Sequence, residues 1–268
     1  MTEPVFDHPQ VAALIELALA EDVGAGDRTS LATVPPGARA RGRLLAKQRL
    51  VVCGVPLLSR VFERLGGASV TVHDGEGVVV EAGRVVAHVE AAARVLLGGE
   101  RLALNFVQHL SGIATLTRQC VDAVRGTPLV VRDTRKTVPG MRLLAKYAVR
   151  TGGGQNHRLA LDDALLIKDN HLTLSGRGLA DTVRAARAAY PGLPLEVECR
   201  TLDELRAALD AKPDLILLDN MSLETTRAAV ALAAGRVPLE ASGGVRPDDL
   251  RALAATGVAY VAMGAITH

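Results

Sequence analysis

LEVECRTLDELRAALDAKPDLILLDNMSLETTRAAVALAAGRVPLEASGG, residues 195–244, carries three short apolar runs separated by two stretches of helical spacing. The runs at 195–199, 215–218 and 239–241 are too short for buried helices and read as strands. Residues 202–210 and 223–234 repeat their apolar positions every three to four residues, and Thr201 with Glu204 has the spacing of a capping box. Strand, helix, strand, helix, strand in close succession means parallel neighbours joined by crossover helices. The alternation extends in both directions. Strands are expected at 129–132, 164–167 and 258–263, and further helices at 179–190 and 247–255. The result is an α/β sheet of six parallel strands, open or closed into a barrel.

Each strand runs into polar residues. Thr134-Arg135-Lys136 follows the first, Lys168-Asp169-Asn170 the second, and Glu198 ends the third. Asp219-Asn220 ends the fourth, Ser242-Gly243-Gly244 follows the fifth, and Gly264 the sixth. Active sites of α/β barrels lie at the carboxyl ends of the strands, so these residues are expected to converge. Alternation along the third strand places Glu196 and Glu198 on one face, where inward carboxylates require cations or a metal.

Before this region the pattern is different. Residues 9–20 form an amphipathic helix that Gly24 and Gly26 break. Residues 38–90 read as a small antiparallel sheet with a helix near 56–65. A long helix over 94–125 shows Leu102, Phe106, Leu110 and Ile113 on one stripe, with Gly126 as its stop. We expect two domains, residues 1–108 and 109–268.

The chain has 268 residues, 49% of them apolar, with no Trp, three Phe and three Tyr, so an aliphatic core is available. Net charge is +2, from 31 basic and 29 acidic side chains. No basic tail or aromatic-interleaved surface points to nucleic acid. No apolar run reaches the ~18 residues of a membrane span, and the N-terminus lacks the apolar core of a signal peptide. Three scattered cysteines without a CxxC pair suggest a reduced, cytoplasmic protein without structural zinc.

The basic residues gather in VRDTRKTVPGMRLLAKYAVRTGGGQNHRLALDDALLIKDNH, residues 131–171. Gly152, Gly153 and Gly154 stand among them, where backbone N–H groups can approach an anion. Arg135, Arg158 and Lys168 suit carboxylates, with His157 beside Arg158. Lys146 and Arg150 read instead as helix-surface charges, and Asp203, Glu204 and Arg206 as a solvated face. Ser242-Gly243-Gly244 before a helix, with Gly264 one strand later, reads as a phosphate site or, alternatively, as a plain turn. Glu198 and Asp219 can hold Mg2+ beside a phosphorylated substrate, or pair with Lys136 or Lys168. The cysteines read as apolar packing residues.

Taken together, EDVGAGDRTS, GERLALNFVQHLSGIATLTR, RDTRKTVPGMRLLAKYAVRTGGGQNHR, LIKDNH, LEVE, LILLDNMS, LEASGGV and GAITH resemble the quinolinate phosphoribosyltransferase family, in the family's order from about residue 21 onward. The resemblance implies a small N-terminal α/β sandwich plus an incomplete, type II phosphoribosyltransferase-like α/β barrel. It implies transfer of phosphoribosyl from phosphoribosyl pyrophosphate to quinolinate, with decarboxylation to nicotinate mononucleotide, in NAD biosynthesis. It also implies a homodimer in which Arg101 reaches the partner's site. Arg135, His157, Arg158 and Lys168 would then bind quinolinate. Lys136, Glu198 and Asp219 would serve pyrophosphate, ribose and Mg2+. Ser242, Gly243, Gly244 and Gly264 would hold the 5′-phosphate, and Thr134, Met263 and Ala265 would also bind substrate. Two positions depart from the family's habit: Ala160 stands where Gly is usual, and Arg200 where a small or acidic residue is commoner. A relative using another acid would keep only the phosphate half. A catalytically silent sensor would be expected to lose Lys136, Glu198 or Asp219, all of which are present.

Overall fold

The computed structural model describes residues 5–268. They form two compact units. One ends at Arg118 and also takes in Val138–Gly153; the other comprises Gln119–Thr137 and Gly154–His268.

In the first unit, helix α1 (Pro9–Asp22) opens on His8, whose Nδ1 accepts from the Gln10 N–H at 3.2 Å, and buries Val11, Ile15 and Leu19. The glycines after it do interrupt the chain. A short helix α2 (Arg28–Thr33) follows at once, capped by the Asp27 carboxylate, and the glycine-rich composition gave no sign of it. Strands β1 (Arg39–Leu45), β2 (Leu50–Val51), β3 (Ala68–Val72), β4 (Val79–Val80) and β5 (Val85–Ala92) flank helix α3 (Pro56–Glu63) in the chain. They pair antiparallel in the order β1-β5-β3, with β2-β4 as a separate ribbon. Helix α4 (Ala93–Ala123) is continuous, and the expected stripe of Leu102, Phe106, Leu110 and Ile113 is buried.

Helix α5 (Arg142–Gly152) corrects two expectations. Lys146 is not a surface charge: it is 2% exposed, on the broad buried arc that includes Leu144, Ala145, Ala148 and Val149. A buried ammonium needs a polar partner, and Lys146 has one. Arg150, by contrast, is exposed as expected. Two of the three glycines at its end serve this unit's own structure. A Cβ on Gly152 would stand 2.5 Å from the Ala114 carbonyl oxygen and 2.6 Å from Thr117 Cβ, so only glycine lets α5 lie this close to α4. Gly153 caps α5 in the left-handed conformation at φ +97°.

The second unit is the predicted parallel sheet. Its strands are β6 (Val130–Arg132), β7 (Leu165–Ile167), β8 (Leu195–Cys199), β9 (Leu215–Asp219), β10 (Leu239–Ser242) and β11 (Tyr260–Ala262). They lie in the order β6-β11-β10-β9-β8-β7, every neighbouring pair parallel. β6 and β7 are the end strands of this sheet and do not pair with each other, β6 carrying on its outer side only a single parallel bridge from Arg132 to Gln155, which is the topology of an incomplete barrel. Helices α6 (Asp169–Ser175), α7 (Leu179–Ala189), α8 (Leu202–Ala211), α9 (Leu223–Ala233) and α10 (Leu250–Ala254) fill the connections. Half of the anticipated capping box forms on α8. Thr201 Oγ1 accepts from Glu204 N–H at 3.1 Å, while the Glu204 carboxylate reaches Arg200 N–H at 2.6 Å rather than Thr201 N–H.

Candidate active site

The strand-end residues of the second unit are drawn together by register. β8 and β9 are adjacent, and Ser242 of β10 is level with Asp219 of β9. Asp219 and Ser242 therefore end β9 and β10, and Glu198 stands one residue before the end of the neighbouring β8. Asn220 takes the left-handed conformation, at φ +55°, and its N–H donates to the Ser242 carbonyl at 2.9 Å. Asparagine tolerates that backbone region better than most residues. Its amide side chain occupies the space in which a Cβ on Gly243 would lie, and Asn220 Cα would be 2.9 Å from that Cβ. Gly243, at φ +103°, is thus required by the protein's own packing. Gly244, at φ +59°, faces open space.

At the other edge, β6 leads into Asp133-Thr134-Arg135-Lys136. Thr134 Oγ1 accepts from Lys136 N–H at 3.0 Å, and Thr267 Oγ1 donates to the Lys136 carbonyl at 2.9 Å. The Lys136 stem crosses Gly264 so closely that a Cβ there would be 3.0 Å from Lys136 Cδ. Lys136 and Gly264, more than a hundred residues apart in the chain, are therefore neighbours. Met263 donates its N–H to the Arg132 carbonyl at 2.9 Å, and its side chain is buried in the core, whereas Ala265 is exposed.

Asp133 was not singled out by its sequence context. It is fully buried and accepts from His157 N–H at 2.8 Å and from Asn156 Nδ2 at 2.6 Å. It thereby ties the NHR turn to the end of β6. Arg158 donates through Nη1 to the Ala164 carbonyl at 2.8 Å. Burial lowers its guanidinium below the usual arginine range, and the nearby Arg135 lowers it further, with Glu196 and Asp163 opposing. The Asp133 tie brings the segments bearing Arg135 and Arg158 to the same end of the sheet, an arrangement suited to a multiply charged anion.

The inward carboxylates do have cationic partners. Lys168 forms an ion pair with Glu198, one of the two alternatives open from the sequence. His157 Nε2 lies 2.7 Å from Glu196 Oε2 and 3.5 Å from Glu240 Oε1. Arg132 Nη1 donates to Glu240 Oε2 at 2.8 Å. Glu240 and Arg132 were missed. The available signal was a lone glutamate in the otherwise apolar β10, two residues before Ser242. Burial first, then the charge of Glu196, pushes the Glu240 carboxyl up to about 7, while His157 and Arg132 draw it down.

Arg200 lies 2.6 Å from Asp169 and 3.7 Å from Asp219, so this unusual residue sits beside the site. The three cysteines are buried and unbridged, as expected of packing residues; burial raises the Cys120 thiol to about 11 and the Cys199 thiol to about 12. Arg101 belongs to the first unit, on the exposed side of α4. Among the described residues no helix is long and apolar enough to cross a membrane.

Comparison with known proteins agrees along the chain. Residues 27–111 match the family Quinolinate phosphoribosyl transferase, N-terminal domain, and residues 113–268 match Quinolinate phosphoribosyl transferase, C-terminal domain. A nicotinate-nucleotide pyrophosphorylase [carboxylating] of Mycobacterium leprae is 47% identical over 261 residues, covering 95% of this chain and 92% of that protein. A probable enzyme of the same name from Bacillus subtilis is 38% identical over 98% of this chain and 91% of its own length. The crystal structure of the nicotinate-nucleotide pyrophosphorylase of Ehrlichia chaffeensis superposes with a TM-score of 0.93 at 37% identity, covering 100% of this chain and 96% of that one. With both domains matched and relatives aligned over nearly all of their length, the chain belongs to the quinolinate phosphoribosyltransferase family.

Proposed function

We infer that this chain transfers phosphoribosyl from phosphoribosyl pyrophosphate to quinolinate, releasing pyrophosphate and carbon dioxide and forming nicotinate mononucleotide for NAD biosynthesis. The observation that carries the reading is that buried Asp133, accepting from His157 N–H at 2.8 Å and Asn156 Nδ2 at 2.6 Å, ties the turn bearing His157 and Arg158 to the strand end bearing Arg135, and so gathers cations that match a dicarboxylate. Quinolinate's ring nitrogen attacks the anomeric carbon as the bond to pyrophosphate breaks. The ring then carries a cationic nitrogen next to a carboxylate. The carbon–carboxylate bond breaks, its electron pair stays on the ring carbon beside that nitrogen, and a proton takes the place of the departed carbon dioxide. Arg135, His157, Arg158 and Lys168 orient the acid, which makes much of the catalysis a matter of positioning. Lys136 offsets charge on the leaving pyrophosphate. The turn at Ser242, Gly243 and Gly244, together with the backbone of Met263, Gly264 and Ala265, receives the 5′-phosphate.

Glu198 and Asp219 offer hard oxygen donors from adjacent strands, which fits Mg2+. Held there, the ion would supply further neutralisation of the pyrophosphate. We read the protein as a cytoplasmic homodimer, with Arg101 contributed to the partner's site. The reaction is tested by incubating the pure protein with both substrates and Mg2+ and quantifying products. Nicotinate mononucleotide, pyrophosphate and carbon dioxide are expected in equal amounts; pyrophosphate without carbon dioxide would refute the reading.

Two substitutions separate the two substrates. Arg158→Ala removes a charge-assisted fork and is expected to raise the KM for quinolinate by about ten- to a hundredfold, with a much smaller effect on phosphoribosyl pyrophosphate. Gly244→Ala meets open space and adds only left-handed strain, about 1 kcal/mol. Its methyl group should raise the KM for phosphoribosyl pyrophosphate by about tenfold by blocking backbone approach. Gly243 is the poorer probe, because any side chain there collides with Asn220 and disturbs the turn itself. Steady-state kinetics showing the reverse pattern would exchange the two halves of the site.

A further inference from the structure

Beneath the strand-end residues lies a layer of charge that the reaction above does not use. Arg132, Glu240 and Glu196 come from β6, β10 and β8, alternate strands of the sheet. Each stands two residues before a proposed site residue: Thr134, Ser242 and Glu198. Their ladder positions step regularly. Arg132 is level with Ala262 of β11 and Glu240 with Tyr260; Glu240 is level with Leu217 of β9 and Glu196 with Leu215. That stagger is the shear by which alternate strands of a barrel place their side chains in one layer.

Such layers are ordinarily aliphatic. Here Glu240 is 0% and Glu196 5% exposed, and one oxygen of each, Oε1, is buried without a hydrogen bond from the described residues. Stability alone would favour apolar side chains over buried carboxylates. Both glutamates converge on one atom, His157 Nε2, at 2.7 and 3.5 Å. Carboxylates around a ring nitrogen require it to donate, and so select the tautomer and fix the ring plane. The main chain of His157 is fixed independently by Asp133 at 2.8 Å.

We propose that Glu196 and Glu240, the latter clamped by Arg132, are positioning residues that hold the His157 Nε2–H toward the barrel floor and so fix the ring edge presented to the acid substrate. The proposal rests on the assignment of His157 to quinolinate. Arg132 and Glu240 act through His157 and touch no substrate atom. The charge balance supports the arrangement: Arg132, 2.8 Å from Glu240, offsets part of the charge of two carboxylates that burial would otherwise disfavour.

Two near-isosteric variants, Glu196→Gln and Glu240→Gln, test it with two readouts. Nitrogen-15 histidine NMR of the ligand-free protein, with the His157 signal identified by its loss in His157→Asn, reports the tautomer without turnover. Kinetics report each substrate's KM. The wild type should show a protonated Nε2 held in one tautomer. In the variants this signature should move toward a mixture, and the KM for quinolinate should rise about tenfold, as for a lost charge-assisted hydrogen bond, while that for phosphoribosyl pyrophosphate stays within about twofold. If Glu240→Gln does not fold, the double variant Arg132→Met with Glu240→Met removes the buried pair together and should show the same split. An unchanged His157 signature, or equal rises in both KM values, would overturn the proposal. A wild-type protein that does not convert quinolinate would refute the functional reading alone, and the NMR comparison would still decide the positioning of His157.

Discussion

Arg101→Ala and Lys136→Ala are each expected to lower turnover by about a thousandfold as pure dimers, and their mixture to recover activity. Lys136 is fixed beside Gly264 and belongs to its own chain's site. Arg101 lies on the exposed side of α4 in the other unit, and we assign it to the partner's site. In a mixed dimer one site then carries both defects and the other carries none. Random exchange of equal amounts makes half the dimers mixed, each with one working site, so about a quarter of wild-type activity should return. Mass spectrometry can verify exchange. Confirmed exchange without recovery would place Arg101 in its own chain's site or outside any site.

Removal of divalent metal is expected to take activity to the detection limit, with full return on addition of Mg2+. Each proposed ligand already has a cationic neighbour: Lys168 on Glu198, and Arg200 at 3.7 Å from Asp219. Two carboxylates so engaged are too few donors for a tight Mg2+ site, so the ion should arrive largely with the pyrophosphate. Calorimetry should accordingly detect weak Mg2+ binding to the free protein and much tighter binding with inorganic pyrophosphate present. Undiminished turnover in excess chelator would contradict the assignment of Glu198 and Asp219.

The parallel sheet was legible because its strands are apolar and its connections keep helical spacing, as in residues 195–244. The rim was legible for a related reason: Lys168, Glu198, Asp219 and Ser242 break apolar runs at the same end of each strand. What escaped lies below the rim. Glu240 sits in LEAS, too short a strand for alternation to say which face turns inward. Even with Glu196 read as inward, its partner could not be named, because His157 arrives from a turn 39 residues earlier. Lys146 was misread because charge on a helix ordinarily marks its solvated face, and nothing local reveals that α5 is buried around so wide an arc. Gly152 was misread similarly: the closeness that it permits is to α4, a packing contact rather than an approach to an anion.

The central claim is that the cations around the acid demand two carboxylates. With Arg135, Arg158 and Lys168 assigned to the acid, a monocarboxylate would engage fewer of these cations than a dicarboxylate does. The direct measurement is kcat/KM with phosphoribosyl pyrophosphate and Mg2+ for quinolinate, nicotinate and nicotinamide in turn, following pyrophosphate and carbon dioxide together. Quinolinate should exceed nicotinate by at least about a hundredfold, with nicotinamide lower still and carbon dioxide released from quinolinate alone. Comparable kcat/KM values for quinolinate and nicotinate would contradict the account.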